Sequence, residues 1–111
     1  MTAPAGGYLG EFEQLVLLAV LRLDDDAYGA TIGRLIQNAT GREVSIGALY
    51  TTLERLHDKG YVTPHIGEPT GERGGRRRKI YTLTAAGHSA LARAYESFTT
   101  MARGLRPKLA R

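Results

Sequence analysis

The 111-residue sequence contains no cysteine, so neither a disulfide framework nor thiolate chemistry is expected. Long apolar runs are absent as well. The longest, residues 15–21, is far shorter than the roughly 20 residues with which a helix spans a membrane. The first ten residues contain no basic segment ahead of an apolar one, which argues against a signal peptide. We therefore expect a soluble chain located in the cytoplasm.

Groups of catalytic and metal-binding residues are also missing from the sequence. His57, His65 and His88 lack the spacing of metal ligands, and no cysteine accompanies them. The acidic run at residues 24–26 has no catalytic His, Ser or Lys in its stretch, so we interpret it as a solvated helix end. The glycine-rich segment 67–75 does not fit the nucleotide-binding pattern GxxxxGK[ST]. We expect no enzymatic activity, no metal and no cofactor.

What remains fits one small domain with an anionic partner. The length lies near the usual domain size, and apolar residues make up 42% of the chain, which is enough for a small core. The net charge of +4 permits a polyanionic partner without proving one.

The spacing of apolar residues predicts three helices, a β-hairpin and one long helix. The predicted helices cover residues 11–23, 30–40, 46–59 and 84–105, and the predicted strands cover 61–66 and 78–83. The first helix is apolar around nearly its whole circumference, so more than one side of it must be covered, and a second subunit can provide that cover. Ser45 offers an N-cap hydroxyl to the third helix, and Gly41 and Gly60 stand where helix-ending glycines belong.

The two strands are joined by a glycine-rich loop, as in a hairpin. Pro64 restricts the first strand to an edge or a bulge. In the second strand, we expect Ile80 and Thr82 on one face. Lys79 and Tyr81 are expected on the other.

Three helices followed by two strands is the order of a winged helix-turn-helix domain, whose third helix enters the DNA major groove. The predicted fold class is mostly α with a small β-hairpin and one long C-terminal helix. The third helix has a core stripe of Ile46, Leu49, Leu53 and Leu56. Its outer face comprises Gly47, Ala48, Thr51, Glu54, Arg55 and Asp58. The small residues of this face allow close approach to DNA, and Thr51 and Arg55 can reach phosphates or base edges.

Basic residues cluster at the end of the hairpin loop. The cluster consists of Arg73, Arg76, Arg77, Arg78 and Lys79. Beside a recognition helix these charges favour contact with DNA phosphates, because each neutralised phosphate releases counterions. The alternative is a solvated hairpin edge.

Several polar side chains near the third helix have two interpretations each. Tyr50, at the border between the core stripe and the outer face, either packs or donates a hydrogen bond to a phosphate. The same two roles are open to Tyr28, which precedes the second helix. Ser45 either caps its helix or also meets a phosphate. The two acidic residues of the outer face either restrain Arg55 by pairing with it or lie outside the groove.

The long last helix carries an apolar stripe with heptad-like spacing, which we name the C-terminal seam. It consists of Leu91, Tyr95, Phe98, Ala102 and Leu105. The two aromatic rings either fill a dimer core or open to admit a flat ligand. We divide the chain into a flexible tail (1–8), a winged-helix DNA-binding domain (9–83), a dimerisation helix (84–105) and a second tail (106–111).

Three segments together resemble the PadR-like transcriptional regulators. They are the Tyr28-Gly29 pair, SIGALYTTLERLHDKGYV at residues 45–62, and GGRRRKIYTLTAAGHSAL at residues 74–91. With the apolar first helix, the resemblance covers about residues 9–105. It implies a homodimeric winged-helix repressor that binds a palindromic operator and is released by a small ligand in many members.

The single C-terminal helix resembles that of the short subfamily, in which the last helix packs against the partner's first helix. The residues implied at this dimer and ligand surface are Phe12, Leu15, Val16 and Ala19 together with the C-terminal seam. Some short members bind planar aromatic ligands with a tryptophan of the last helix. This chain has no tryptophan, and Phe98 occupies that place. The resemblance to ligand-responsive members favours a small aromatic ligand as a partner, and the missing tryptophan argues against it.

Two functions follow from these patterns. The first is a dimeric, sequence-specific repressor that binds double-stranded DNA. The alternative is a winged-helix module that uses its basic hairpin to contact protein or RNA. The small residues of the outer face favour groove insertion, because a protein-binding helix normally presents an aromatic or aliphatic anchor.

Overall fold

The computed structural model describes residues 8–67 and 78–110. The helices are α1 (Glu11–Leu23), α2 (Gly29–Thr40), α3 (Ile46–Asp58), α4 (Ala85–Ala102) and α5 (Arg106–Leu109), with a 3-10 turn at Asp24–Asp26 between the first two. The strands are β1 (Val62–Ile66) and β2 (Lys79–Leu83). The predicted order of three helices, a hairpin and a long helix is confirmed. In the described ranges, no helix is long and apolar enough to cross a membrane.

The helix ends follow from capping residues that the sequence marked. The Ser45 hydroxyl accepts a hydrogen bond from the Ala48 N–H at 3.1 Å at the start of α3. At the start of α4, the Thr84 hydroxyl accepts one from the Gly87 N–H at 3.0 Å. Gly41 and Gly60 have φ angles of 75° and 80°, the left-handed conformation that ends a helix at little cost for glycine.

The core lies where α1, α2 and α3 meet the base of the hairpin. Its fully buried large side chains are Val16, Leu17, Val20, Ile32, Leu49, Leu53, Leu56, Tyr61 and Val62. Each of the three helices contributes one apolar side, as an amphipathic helix in a small domain must. Burial of a side chain of this size stabilises the fold by about 1.5–3 kcal/mol.

The hairpin is an antiparallel pair in which Pro64 lies opposite Tyr81. The Thr84 N–H donates to the Tyr61 carbonyl, and the Gly67 N–H donates to the Arg78 carbonyl. The two pairs at the ends of the ladder are therefore hydrogen-bonded pairs. By alternation, Pro64 falls at a non-hydrogen-bonded position, where its missing N–H costs nothing. The predicted proline position is thereby explained.

The face assignment within β2 agrees with strand alternation, but burial is not confined to one face. Ile80 and Tyr81 are both buried, although they point to opposite faces, and Thr82 is exposed. Tyr81 belongs to the helical core, while Ile80 is covered by the chain at Gly67. The Tyr81 N–H also donates to the Ala27 carbonyl at 2.8 Å, which ties the base of the hairpin to the start of α2.

The last helix is shorter than predicted. Helix α4 ends at Ala102 instead of Leu105, because the chain turns at Gly104, whose φ is 78°. The short helix α5 then occupies part of the segment predicted as a tail. The first half of α4 packs closely on the domain, and at Gly87 the backbone touches Tyr61 so closely that a side chain would collide with it.

Candidate nucleic-acid interface

The outer face of α3 is exposed along its whole length, as its spacing predicted. All six of its residues, from Gly47 to Asp58, are exposed. Around Gly47, nothing lies within 4 Å of the position that a Cβ would take. The N-terminal half of this face therefore presents bare backbone and small side chains, which is the shape that close contact with a DNA groove requires.

Ile46 does not belong to the core stripe. It is 63% exposed, whereas the other three members of the stripe are buried. Ile46 occupies the first turn of α3, ahead of the point at which the core begins. Thr52 is the fourth buried residue on the inner side of α3. Its hydroxyl donates a hydrogen bond to the Ala48 carbonyl at 2.8 Å.

Tyr50 packs against the start of α2. Its hydroxyl and ring lie so close to Gly29 that a Cβ there would collide with them. Gly29 is therefore required for space, which explains the Tyr28-Gly29 pair. The Tyr50 side chain is not fully covered by this packing, since the residue remains 45% exposed. Burial raises the pKa of the neighbouring Tyr81 phenol, and Tyr50 and Glu54 raise it further.

Two cationic side chains at the loop end of the hairpin pack against aromatic rings. The Arg78 guanidinium lies 4.5 Å from the centre of the Tyr28 ring, and the Lys79 ammonium lies 6.0 Å from the centre of the Tyr81 ring. Tyr28 is thus a packing partner of Arg78. Such cation–π contacts hold the cation while leaving its N–H groups free to bind an anion. The other predicted basic residues, Arg73, Arg76 and Arg77, lie outside the described residues.

Two ion pairs join the first turn of α1 to the chain on either side of α3. Arg42, which precedes α3, pairs with Glu11 at 2.6 Å, and Lys59, which follows it, pairs with Glu13 at 2.8 Å. The Arg42 guanidinium also lies 4.9 Å from the centre of the Phe12 ring. Arg42 was not singled out from the sequence, although it is a basic residue three positions before the N-cap of the predicted recognition helix. Arg55 forms no ion pair with any other described residue.

Glu13 is a buried carboxylate whose charge is compensated. Burial by itself raises its pKa. Hydrogen bonds from Lys59 and from the Gly10 N–H, with the positive charges of Lys59 and Arg55, outweigh that effect and hold the pKa below its ordinary value. Glu13 thus anchors the end of α3 to α1 while capping α1 itself.

The residues implied at the dimer surface divide into three groups by their burial. Val16, Ala19 and Leu91 are buried in the core of the chain itself, so they offer no surface to a partner. Phe12 and Leu15 pack partly against that core, and Ala102 is half-buried. The exposed apolar residues are Leu18 and Leu21 on α1 and Tyr95, Phe98, Met101, Leu105 and Leu109 at the C-terminal end. The expectation for the first group is corrected, because the monomer already covers it.

Metal-binding clusters do not form in the part of the chain that the structure describes. No group of three or more His, Asp or Glu side chains there is arranged to hold an ion.

Comparison with known proteins agrees with this geometry. The sequence matches the profile of the "Transcriptional regulator PadR-like family" over residues 17–93, well over half of the chain. The chain belongs to the PadR-like family. The predicted resemblance is thus confirmed, and with it the winged-helix fold of a DNA-binding transcription regulator. No curated protein matches the sequence.

Solved structures of PadR-like proteins share the fold of this family member. A PadR family transcription regulator from Clostridium difficile is 22% identical with a TM-score of 0.73, covering 90% of this chain and 99% of that one. A PadR-like regulator from Bacillus cereus is 19% identical with a TM-score of 0.73, covering 88% and 90%. A PadR-like transcription factor from Bacteroides fragilis is 27% identical with a TM-score of 0.63, covering 81% and 82%.

Proposed function

We propose that this PadR-like protein is a cytoplasmic repressor that binds a palindromic operator as a homodimer. The observation that carries the proposal is the exposed, small-residue face of α3, together with the cationic side chains at the loop end of the hairpin. In this proposal α3 enters the major groove, where Thr51 and Arg55 contact base edges or phosphates. Arg78, Lys79 and the basic residues of the hairpin loop contact the flanking phosphates.

The proposed dimer pairs the C-terminal seam with the partner's α1. Tyr95 and Phe98 are 67% and 70% exposed, although they continue the side of α4 on which Leu91 is buried. On α1, Leu18 and Leu21 remain exposed on the side that faces away from the core. Exposed aromatic residues in a row are costly for a monomer in water, and pairing the two surfaces removes both from solvent.

Selection of bound duplexes from a random DNA pool tests the proposed function. We expect an enriched palindrome whose half-sites lie about one helical turn apart, because the two recognition helices of a symmetric dimer are related by a two-fold axis. Enrichment of a non-palindromic sequence would contradict the symmetric dimer. Absence of any enriched sequence, or tighter binding to RNA, would favour the alternative module.

We further propose that a flat aromatic ligand binds between the subunits and weakens operator binding. Tyr95 and Phe98 lie one turn apart on the exposed part of the seam, where two rings can enclose a planar guest. A ligand acts this way only if it prefers one spacing of the recognition helices. Titration of aromatic cations and phenolic acids against operator binding tests this. If no compound binds, and Phe98→Ala only loosens the dimer, the two rings belong to the dimer core and the protein is regulated by other means.

A further inference from the structure

An exposed aliphatic side chain stands at the end of α3 that enters a DNA groove first. Ile46 is the first residue of α3 and is 63% exposed. The inner side of the helix is complete without it, because Leu49, Leu53 and Leu56 fill the core. Ile46 therefore contributes little to folding, and its apolar surface is available to a partner.

The neighbours of Ile46 allow that partner to come close. Gly47 has no atoms within 4 Å of its missing side chain, and Ala48 is exposed. The Ser45 hydroxyl is already engaged with the Ala48 N–H. The tip of α3 thus offers one branched apolar group surrounded by small residues, with its cap hydroxyl turned to the helix itself.

An aliphatic side chain discriminates among bases in only one way. It cannot donate or accept a hydrogen bond, so it gains nothing from phosphates or from the polar edges of bases. The C5 methyl group of thymine is the apolar group that the major groove displays. Residues at the N-terminal end of a recognition helix are those that contact base edges.

We propose that Ile46 recognises a thymine in each operator half-site by contact with its C5 methyl group. This inference rests on the proposed insertion of α3 into the major groove. It makes Ile46 a specificity-determining residue, distinct from the polar residues of the outer face and from the basic hairpin.

Deoxyuridine tests the contact, because it pairs as thymidine does and lacks only the methyl group. The full chain and its selected operator are used, and each thymine is replaced in turn in one or both half-sites. We expect one thymine position at which the replacement weakens binding about fourfold per half-site, which corresponds to the ~0.8 kcal/mol of one buried methyl group. In the Ile46→Ala variant, the same replacement should leave binding unchanged.

Two further variants keep the result interpretable. Ile66→Ala removes a comparably exposed isoleucine, 59% exposed on β1, and should retain the full effect of deoxyuridine. Ile46→Val should retain most of it, and far-ultraviolet circular dichroism should show that all variants fold. A deoxyuridine effect that persists in Ile46→Ala, or no effect at any thymine, would overturn the inference while leaving operator binding intact. If the wild-type protein shows no sequence-selective DNA binding at all, the proposed function itself is overturned.

Discussion

Several residues of this domain are required by a neighbouring side chain that is distant in the sequence. Gly29 is a glycine because the Tyr50 ring occupies the space of its side chain, whereas the space around Gly47 is open. Glu13 is a buried carboxylate that remains charged because Lys59 and a backbone N–H compensate it. The roles of Gly29 and Glu13 are not visible in the sequence, since each depends on a neighbour brought in by the fold.

Replacing Glu13 should make stability depend less on pH. Because the pKa of folded Glu13 is lowered, its contribution is fully present above its ordinary value of 4.5 and is lost as pH falls through the folded pKa. We expect Glu13→Gln to lower the free energy of unfolding by about 1–2 kcal/mol at pH 7. The difference from wild type should shrink below pH 4.5 in urea unfolding at fixed protein concentration.

The matched control is Glu11→Gln, which removes the exposed partner of Arg42. Exposed ion pairs contribute little to stability, so this variant should stay close to wild type throughout the pH range. A constant difference between Glu13→Gln and wild type from pH 7 to pH 3 would show that the charge of Glu13 is not the cause.

Two glycine-to-alanine substitutions should have opposite effects. Gly29→Ala forces Tyr50 to move and should cost about 1–3 kcal/mol of stability. Gly47→Ala fills open space in a helix and should stabilise by about 0.5–1 kcal/mol. Thermal or urea unfolding measures both. In the Gly29→Ala, Tyr50→Ala double variant, the cost of the first substitution should largely disappear; full additivity would exclude the collision as its cause.

At the scale of elements, most of the fold could be predicted because its helices have regular apolar spacing and marked ends. The spacing of Leu49, Leu53 and Leu56 and the cap at Ser45 define α3 to within one residue. The errors arose where tertiary structure overrides a periodic pattern. Ile46 continues the apolar stripe of α3 but lies outside the core. Helix α4 ends at the turn around Gly104, so Leu105, the last residue of the C-terminal seam, lies beyond the helix.

The hairpin and the recognition helix should contribute to DNA binding in different ways. We expect Arg77→Ala to weaken binding to all sequences and to reduce the slope of log K against log salt by about 1–2 units per dimer. Substitutions of Thr51 or Arg55 should cost about 1–3 kcal/mol on the preferred site alone. Fluorescence anisotropy with operator and unrelated DNA at several salt concentrations distinguishes the two.

A control for lost charge is available at the other end of the chain. Arg103 follows α4 and is exposed, so Arg103→Ala removes one charge without touching α3 or the hairpin. Its salt slope should equal that of wild type. A slope unchanged by Arg77→Ala, combined with weaker binding to the operator only, would mean that Arg77 reads bases instead of phosphates.

At the scale of the whole molecule, the second half of α4 leaves the domain. Its apolar side is buried at Leu91 and becomes exposed from Tyr95 onward, where Met101 reaches 79% exposure. The chain measures 52 × 36 × 22 Å along its principal axes, an elongated shape for so short a sequence. Heptad-like spacing indicated that a partner is needed, but could not indicate where the monomer's own core would end along the seam.

A charge on the seam should therefore dissociate the proposed dimer. We expect Phe98→Asp to weaken dimerisation at least about a hundredfold, because it places an unpaired charge in an apolar interface. Analytical ultracentrifugation should then give the monomer mass at low micromolar concentration, where wild type gives the dimer mass. Thr100→Asp, two residues further and exposed on the far side of α4, should leave the dimer intact. A wild-type protein that sediments as a monomer would exclude the dimer altogether.

The two ion pairs around α3 have a consequence for redesign. Arg42 and Lys59 both lie outside residues 46–58. Their ion pairs would therefore still connect the two ends of α3 to α1 after residues of the helix are substituted. The inward positions at Leu49, Thr52, Leu53 and Leu56 must be kept to preserve the core, and Tyr50 must be kept because it packs on Gly29. The remaining exposed positions of α3 can be substituted without disturbing the core. If α3 reads the operator as proposed, residues taken from another family member's third helix and placed at these positions should change the DNA sequence that the domain prefers, while the rest of the domain stays unchanged.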